Sequence, residues 1–266
     1  MKEIIEKLAS KQNQAPEDYT GADGLLYCGK CHTPKQSRVM GITTPVPITC
    51  QCRELEISKE ADAQKKKRVE ELRARCLPVE AMHKRTFSVA GDEKHIQNAR
   101  MYVHKWEQIS EENIGLILWG NTGTGKTFTA QCIANALIDQ EVAVMYISAA
   151  ELVALLMDRE KRGQIMADVR RVPLLIIDDV GAERDTPFSR EQLCAVIDAR
   201  SEAQKPLIVT TNTTQEEMKK CADPTLRRLY DRLLSCCGAP MAVIGESKRG
   251  GIAAQKLQRA RELLGM

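Results

Sequence analysis

The sequence predicts an α/β fold: a five-stranded parallel sheet flanked by helices, with a small cysteine-bearing module in front of it. Three observations predict this. From about residue 86 onward, five apolar runs alternate with helical patterns, the order of a sheet covered on both faces. A glycine-rich loop, "GNTGTGKT" (Gly120 to Thr127), follows the first of these runs and opens a helical pattern. Two close cysteine pairs, C-x₂-C and C-x-C, lie together near the start of the chain.

Taken in order, the first stretch is residues 1–52. It opens on "MKEIIEKLAS", which alternates charge with apolar residues and reads as a short amphipathic helix. It lacks the apolar middle of a signal peptide. No run approaches the roughly 20 apolar residues of a membrane span, so the expectation is a cytosolic chain. Residues 53–85 are dominated by charge, as in "RELEISKEADAQKKKRVEELRAR". Strong helix formers with few apolar residues read as an exposed connecting helix. Residues 86–266 hold the α/β pattern. Its strands are expected at "IGLILW" (114–119), "VAVMYI" (142–147), "PLLIID" (173–178), "PLIVTT" (206–211) and "PMAVIG" (240–245). Capping boxes mark helix starts at Ser148 with Glu151, Ser189 with Gln192, and Thr214 with Glu217. Ile96, Ala99, Val103 and Trp106 fall on one helical face and read as core.

The 266 residues suffice for one core of ordinary size plus a small appended module. A net charge of +3 neither demands nor excludes a nucleic-acid partner. Of the ten cysteines, Cys76, Cys132, Cys194, Cys221, Cys236 and Cys237 are scattered and read as small buried hydrophobes. In a reducing compartment none is expected in a disulfide.

Gly120, four residues, Gly125, Lys126 and Thr127 satisfy G-x-x-x-x-G-K-[ST] in full. A chance match is disfavoured by the strand before and the helical pattern after. Glycines let the N–H groups of Asn121, Thr122, Gly123 and Thr124 turn inward as an anion nest. The helix N-terminus adds its partial positive charge. Lys126, expected to be surface-placed, can reach the β- and γ-phosphates of ATP, and the Thr127 hydroxyl can bind Mg²⁺. Further on, "LLIIDDVGAE" ends an apolar strand in acids. Asp178 is the candidate for the Mg²⁺ site, through a bound water, and Asp179 for orienting the attacking water. The bland alternative is a surface turn, which Asp also favours. Phosphate-loop ATPases that hydrolyse with their own acidic residue often insert a strand between the phosphate-loop strand and the acidic one. "PLIVTTN" fits that strand, with Asn212 at its tip for the γ-phosphate and the water, although Asn also commonly ends strands.

Cys28 and Cys31, eighteen intervening residues, then Cys50 and Cys52 can supply four thiolates in a tetrahedron, the set zinc prefers. With no open position such a site is structural. The alternatives are unpaired buried cysteines or a redox pair. His32 could replace one cysteine, but its adjacency to Cys31 suits it less.

With these motifs in place, "LILWGNTGTGKT", "LLIIDDVGAERDTPFSREQLCAVIDAR", "KPLIVTTNTTQEEM", "RRLYDRLL" and "VIGESKRG" resemble the replicative-helicase loaders of the DnaC/DnaI type, a branch of the AAA+ ATPases. The resemblance covers residues 86–266. More loosely, residues 1–52 resemble the zinc-binding, helicase-contacting part of DnaI-like loaders. The resemblance implies an AAA+ core that binds ATP between neighbouring subunits. It implies self-association and two partners, a hexameric replicative helicase and single-stranded DNA. The family pattern R-x-x-x-R falls on Arg228 and Arg232, with Arg232 as the arginine finger. "GESKRG" places Arg249 where a phosphate-sensing arginine lies, ahead of a short C-terminal lid. One departure is Asp178-Asp179 where many AAA+ ATPases carry Asp-Glu. Glu183 is then the fallback for the water, and slow hydrolysis would suit a switch.

Arg159, Lys161, Arg162, Arg170 and Arg171 form a basic cluster that could track phosphates in a ring or spiral. The equal alternative is a solvated helical face. With three Phe, two Trp and five Tyr in the chain, no base-stacking platform is evident. Rival functions are a transposition-helper ATPase of the IstB type, a zinc adaptor that binds ATP and turns it over slowly, and a small-molecule kinase. The kinase would need a substrate pocket and lid that the sequence does not signal. The zinc-like module argues for the loader.

Overall fold

The computed structural model describes residues 15–181 and 186–265, without the side chains of residues 248–255. The expected helix over the first ten residues and Glu183 lie outside the described residues. Two compact units are present, residues 1–68 and 69–266.

In the first unit, β1 (Tyr19–Thr20) pairs antiparallel with β2 (Leu26–Tyr27), and β3 (Gln36–Ser37) with β4 (Val46–Pro47). A helix then runs Gln51–Cys76. Within the first unit this helix is almost wholly exposed, as its charge pattern predicts. Its last two turns belong to the second unit, where Cys76 and Leu77 are buried.

The second unit is built on five parallel strands: β5 (Leu116–Trp119), β6 (Val144–Ser148), β7 (Leu174–Val180), β8 (Leu207–Thr211) and β9 (Ala239–Ala242). Their order is β6-β7-β8-β5-β9. Strand residues alternate between faces. Ile117, Leu175, Ile177, Leu207 and Val209 enter one core with the helices Ala149–Met157, Pro187–Glu202 and Pro224–Cys237. Leu116, Leu118, Leu174, Ile176 and Ile208 enter a second core with the helices Lys94–His104 and Lys126–Asp139. Burial on both faces accounts for the unbroken apolar runs. Ile96, Ala99, Val103 and Trp106 are buried as expected, as are all the scattered cysteines except half-buried Cys221.

Helix starts follow the capping logic with one correction. Thr214 and Glu217 form a full capping box, and the Ser148 hydroxyl accepts from the Glu151 N–H. Ser189 is not a cap. The helix begins three residues earlier with Pro187 at its first position, and Thr186 accepts the Ser189 N–H across 3.1 Å. Proline's fixed φ suits a first helical position, and that moves the start upstream.

Candidate nucleotide site and cysteine cluster

The loop between β5 and the helix Lys126–Asp139 requires glycine in two different ways. At Gly120 a Cβ would lie 2.4 Å from the Val243 carbonyl oxygen, so the backbone passes too close for a side chain. At Gly125 there is room, but φ is +113°, which glycine adopts without steric cost. The Thr124 hydroxyl donates to the Asn121 carbonyl across 3.0 Å and pins the loop internally. The free N–H groups of a helix N-terminus and a glycine-rich turn suit an anion.

Lys126 departs from the expectation of a surface-placed lysine. It is 7% exposed. Its ammonium folds back on the loop and donates to the carbonyls of Gly120 and Asn121 and to Asn212 Oδ1, each at 2.8 Å. Burial of an ammonium is costly unless its donors are satisfied, and these oxygens satisfy it. Asn212 stands at the tip of β8. This strand lies between β5 and β7, the insertion the sequence predicts.

Side chains from β6, β8 and the helix Lys126–Asp139 meet at Asp178. Thr127 and Thr210 donate to its Oδ1 at 3.0 and 2.6 Å, and the Tyr146 hydroxyl donates to its Oδ2 at 2.6 Å. Burial, and then the Asp178 charge, push the Tyr146 phenol well above its usual pKa. A threonine hydroxyl on a carboxylate beside a phosphate loop is a donor set that can hold Mg²⁺. Sequence reading missed Tyr146 and Thr210. Both sit inside apolar runs, and the available signal was a polar side chain close to a strand's C-terminal end.

Asp179 sits in a bulge, where the β7–β8 register shifts between Ile177 and Val180. Its φ is +61°. Its N–H donates to Thr210 Oγ1 across 2.8 Å, and its carboxylate is exposed.

Arg228 and Arg232 lie elsewhere, on the helix Pro224–Cys237. Arg232 Nε is 2.7 Å from Asp198 Oδ1. The two cavities that both arginines line, about 430 and 390 Å³, include none of residues 120–127. Arg249 falls in the helix Lys248–Leu264, and its side chain is outside the description. The basic residues 159, 161, 162, 170 and 171 are exposed on the helix Arg159–Arg171. They occupy its two ends, about 12 Å apart at helical rise, so they do not form one compact patch.

The four cysteine sulfurs, Cys28, Cys31, Cys50 and Cys52, lie within 4.8 Å of one another. Cys52 Sγ is 3.5 Å from both Cys28 and Cys50. Zinc–sulfur bonds of 2.3 Å in a tetrahedron separate the sulfurs by about 3.8 Å, so the cluster fits a closed four-thiolate site. A tight turn builds the first pair: the His32 N–H donates to the Cys28 carbonyl, and the Cys28 N–H to the Thr33 carbonyl. Hydrogen bonds from the Cys31 and Lys30 N–H groups lower the Cys28 thiol. The Thr33 hydroxyl lowers Cys31 to about 5. Cys52, facing Cys50 and Cys28, is raised to about 12. His32 takes no part; its Nδ1 is 3.3 Å from the Tyr19 hydroxyl.

The sequence pattern of the family described as IstB-like ATP binding protein matches residues 52–255. The replicative helicase loader DnaC of Escherichia coli (strain K12) is 28% identical over 148 residues, 54% of this chain and 58% of that protein. The replicative helicase loader DnaI of Bacillus subtilis (strain 168) is 30% identical over 148 residues, 51% of this chain and 47% of that protein. The chain thus spans about half the length of the curated relatives it matches. A crystal structure of DnaI superposes with a TM-score of 0.54 at 22% identity, covering 64% of this chain and 93% of that one, a likeness of fold. Among the described residues no helix is long and apolar enough to cross a membrane. With more than half its length matched, the chain belongs to the IstB-like ATP binding protein family.

Proposed function

We propose that this chain loads a hexameric replicative helicase onto single-stranded DNA in the cytoplasm, using ATP that is bound and hydrolysed where two copies of the chain meet. The observation that carries the reading is the four-cysteine head in front of an ATP-binding core similar to DnaC and DnaI. A family match that begins at residue 52 leaves all but the last cysteine outside it. A transposition helper of the IstB type needs only the core; a loader also needs a part that grips the helicase. Residues 1–52 are that part, 53–85 the charged helical linker, and 86–266 the ATPase with its C-terminal lid.

The residues divide the work as follows. The N–H groups of residues 120–125 cradle the phosphates. Lys126 exchanges loop carbonyls for β- and γ-phosphate oxygens. Thr127 and Asp178 would hold Mg²⁺, which shields phosphate charge when bound. Asn212, released by Lys126, contacts the γ-phosphate. Asp179 orients the attacking water, with Glu183 in reserve, and turnover is slow. Arg232, flanked by Arg228, serves a neighbouring copy's nucleotide, and Arg249 senses the phosphates from the lid. Cys28, Cys31, Cys50 and Cys52 would hold one structural Zn²⁺ that folds the head. DNA follows the basic residues of the helix Arg159–Arg171.

The test is co-purification with the hexameric helicase from the same replicon, followed by helicase loading onto single-stranded circular DNA. ATP-dependent loading supports the reading. Binding to duplex DNA and to a transposase, with no helicase capture, replaces it with the IstB-type reading.

A further inference from the structure

A line of hydrogen bonds runs from the segment after the first long helix into the nucleotide site. Arg85 donates to Gln131 Oε1 at 2.5 Å, Gln131 Nε2 donates to the Tyr146 hydroxyl at 3.0 Å, and Tyr146 donates to Asp178 Oδ2 at 2.6 Å. The direction of this line is fixed at both ends. A guanidinium can only donate, and an ionised carboxylate can only accept. Arg85 therefore fixes which way the Gln131 amide faces. That amide fills one acceptor position on Tyr146 and leaves the phenol proton for Asp178. Gln131 is 1% exposed, so a misplaced amide could not turn to water for a partner.

The outer end is anchored too. Asn135 Nδ2 donates to the carbonyls of Met82 and Arg85, at 2.9 and 3.0 Å. Arg73, on the last turns of the helix Gln51–Cys76, donates to Asn135 Oδ1 across 3.2 Å. The chain segment 73–85 is thus tied to the same helix that starts at the phosphate loop.

We propose that Tyr146 is a positioning residue for the Asp178 carboxylate, and that Arg85 sets Tyr146 through Gln131. The segment that follows the helix Gln51–Cys76 then tunes how well the site takes Mg²⁺ with ATP. This rests on the reading that Asp178 holds Mg²⁺. Partners of metal-holding carboxylates orient them, and their loss commonly costs metal affinity on the order of 10–100-fold.

The experiment is calorimetric titration of the full chain with ATP, in EDTA and then at graded MgCl₂, for wild type, Tyr146→Phe, Gln131→Met, Arg85→Gln and Asp178→Asn. Tyr146→Phe is expected to raise the magnesium concentration for half-maximal tightening about tenfold, with ATP affinity in EDTA unchanged. Gln131→Met and Arg85→Gln shift it the same way and less. Either one combined with Tyr146→Phe adds nothing, because all act through one oxygen. A wild-type magnesium response from Tyr146→Phe, with Asp178→Asn shifted, overturns the proposal. So does an equal loss of affinity in EDTA, which marks a merely structural role. A silent Arg85→Gln overturns the remote control. An unshifted Asp178→Asn overturns the metal reading itself, and this proposal with it. Should Tyr146→Phe not fold, Gln131→Met carries the same comparison with Tyr146 in place.

Discussion

Lys126 Nζ lies 2.8 Å from Asn212 Oδ1, although the two are 86 positions apart. The contact joins the start of the phosphate-loop helix to the tip of β8, the strand between β5 and β7. With the Gly120 and Asn121 carbonyls, it holds the ammonium on protein oxygens.

Lys126→Ala is therefore expected to act twice. Loss of a charged hydrogen bond to phosphate, about 1.5–3 kcal/mol, lowers ATP affinity on the order of ten- to hundredfold. Removal of the ammonium also leaves the Gly120 and Asn121 carbonyls short of a donor, so the melting temperature falls by a few degrees as well. Calorimetric titration with Mg-ATP and a thermal melt check both. Unchanged ATP affinity would refute the phosphate-loop assignment.

The cysteine head is expected to carry about one zinc per chain. Metal analysis should find it in protein prepared without chelator and should lose it in the Cys28→Ser, Cys52→Ser double variant. Zinc ligands bind as thiolates. Protons compete with the metal for these sulfurs, so zinc affinity should weaken as pH falls, measured by competition with a chelator at graded pH. An affinity that does not change with pH would count against thiolate ligation.

Residues 1–68 are expected to capture the helicase without the ATPase core. The fragment ends at 68 because Cys76 and Leu77 are buried in the second unit, and a longer piece would expose them. A pull-down in which the isolated core alone retains the helicase reverses this division of labour.

Arg232→Ala is expected to bind ATP nearly as wild type does and to lose DNA-stimulated turnover. Fingers supplied by a neighbour are worth on the order of 10³–10⁵ in rate. Mixing Arg232→Ala with Lys126→Ala should restore some activity, since an intact loop on one chain then meets an intact arginine on the other. Asp198 holds Arg232 at 2.7 Å in the single chain, so Asp198→Ala should ease its release and leave ATP affinity alone. Wild-type turnover by Arg232→Ala under assembly conditions excludes the role.

The sheet and the phosphate loop were readable in the sequence because their chemistry is local. Strands buried on both faces must be apolar throughout, and a phosphate cradle needs its glycines and lysine within eight consecutive positions. The partners of Asp178 were not readable for the opposite reason. Tyr146 and Thr210 come from two other strands, and only the sheet order sets them beside Asp178. Each looked like an ordinary member of an apolar run. The Lys126 ammonium was misjudged because its acceptors are backbone carbonyls and a distant Asn, and neither leaves a pattern in sequence. At Ser189 the capping pattern was present but outcompeted by Thr186 with Pro187.

The bulge at Asp179 bears on which sequences this site can accept over evolutionary time. A φ of +61° costs most side chains about 1–2 kcal/mol, with Gly, and sometimes Asn or Asp, exempt. Of these three only Asp brings a charge. The longer Glu that many AAA+ enzymes carry would sit less easily on this backbone. It is not barred, since Glu141 holds φ +63° elsewhere in the chain. Drift from Asp to Glu at the bulge would thus cost about 1–2 kcal/mol of stability while keeping an acid at its tip.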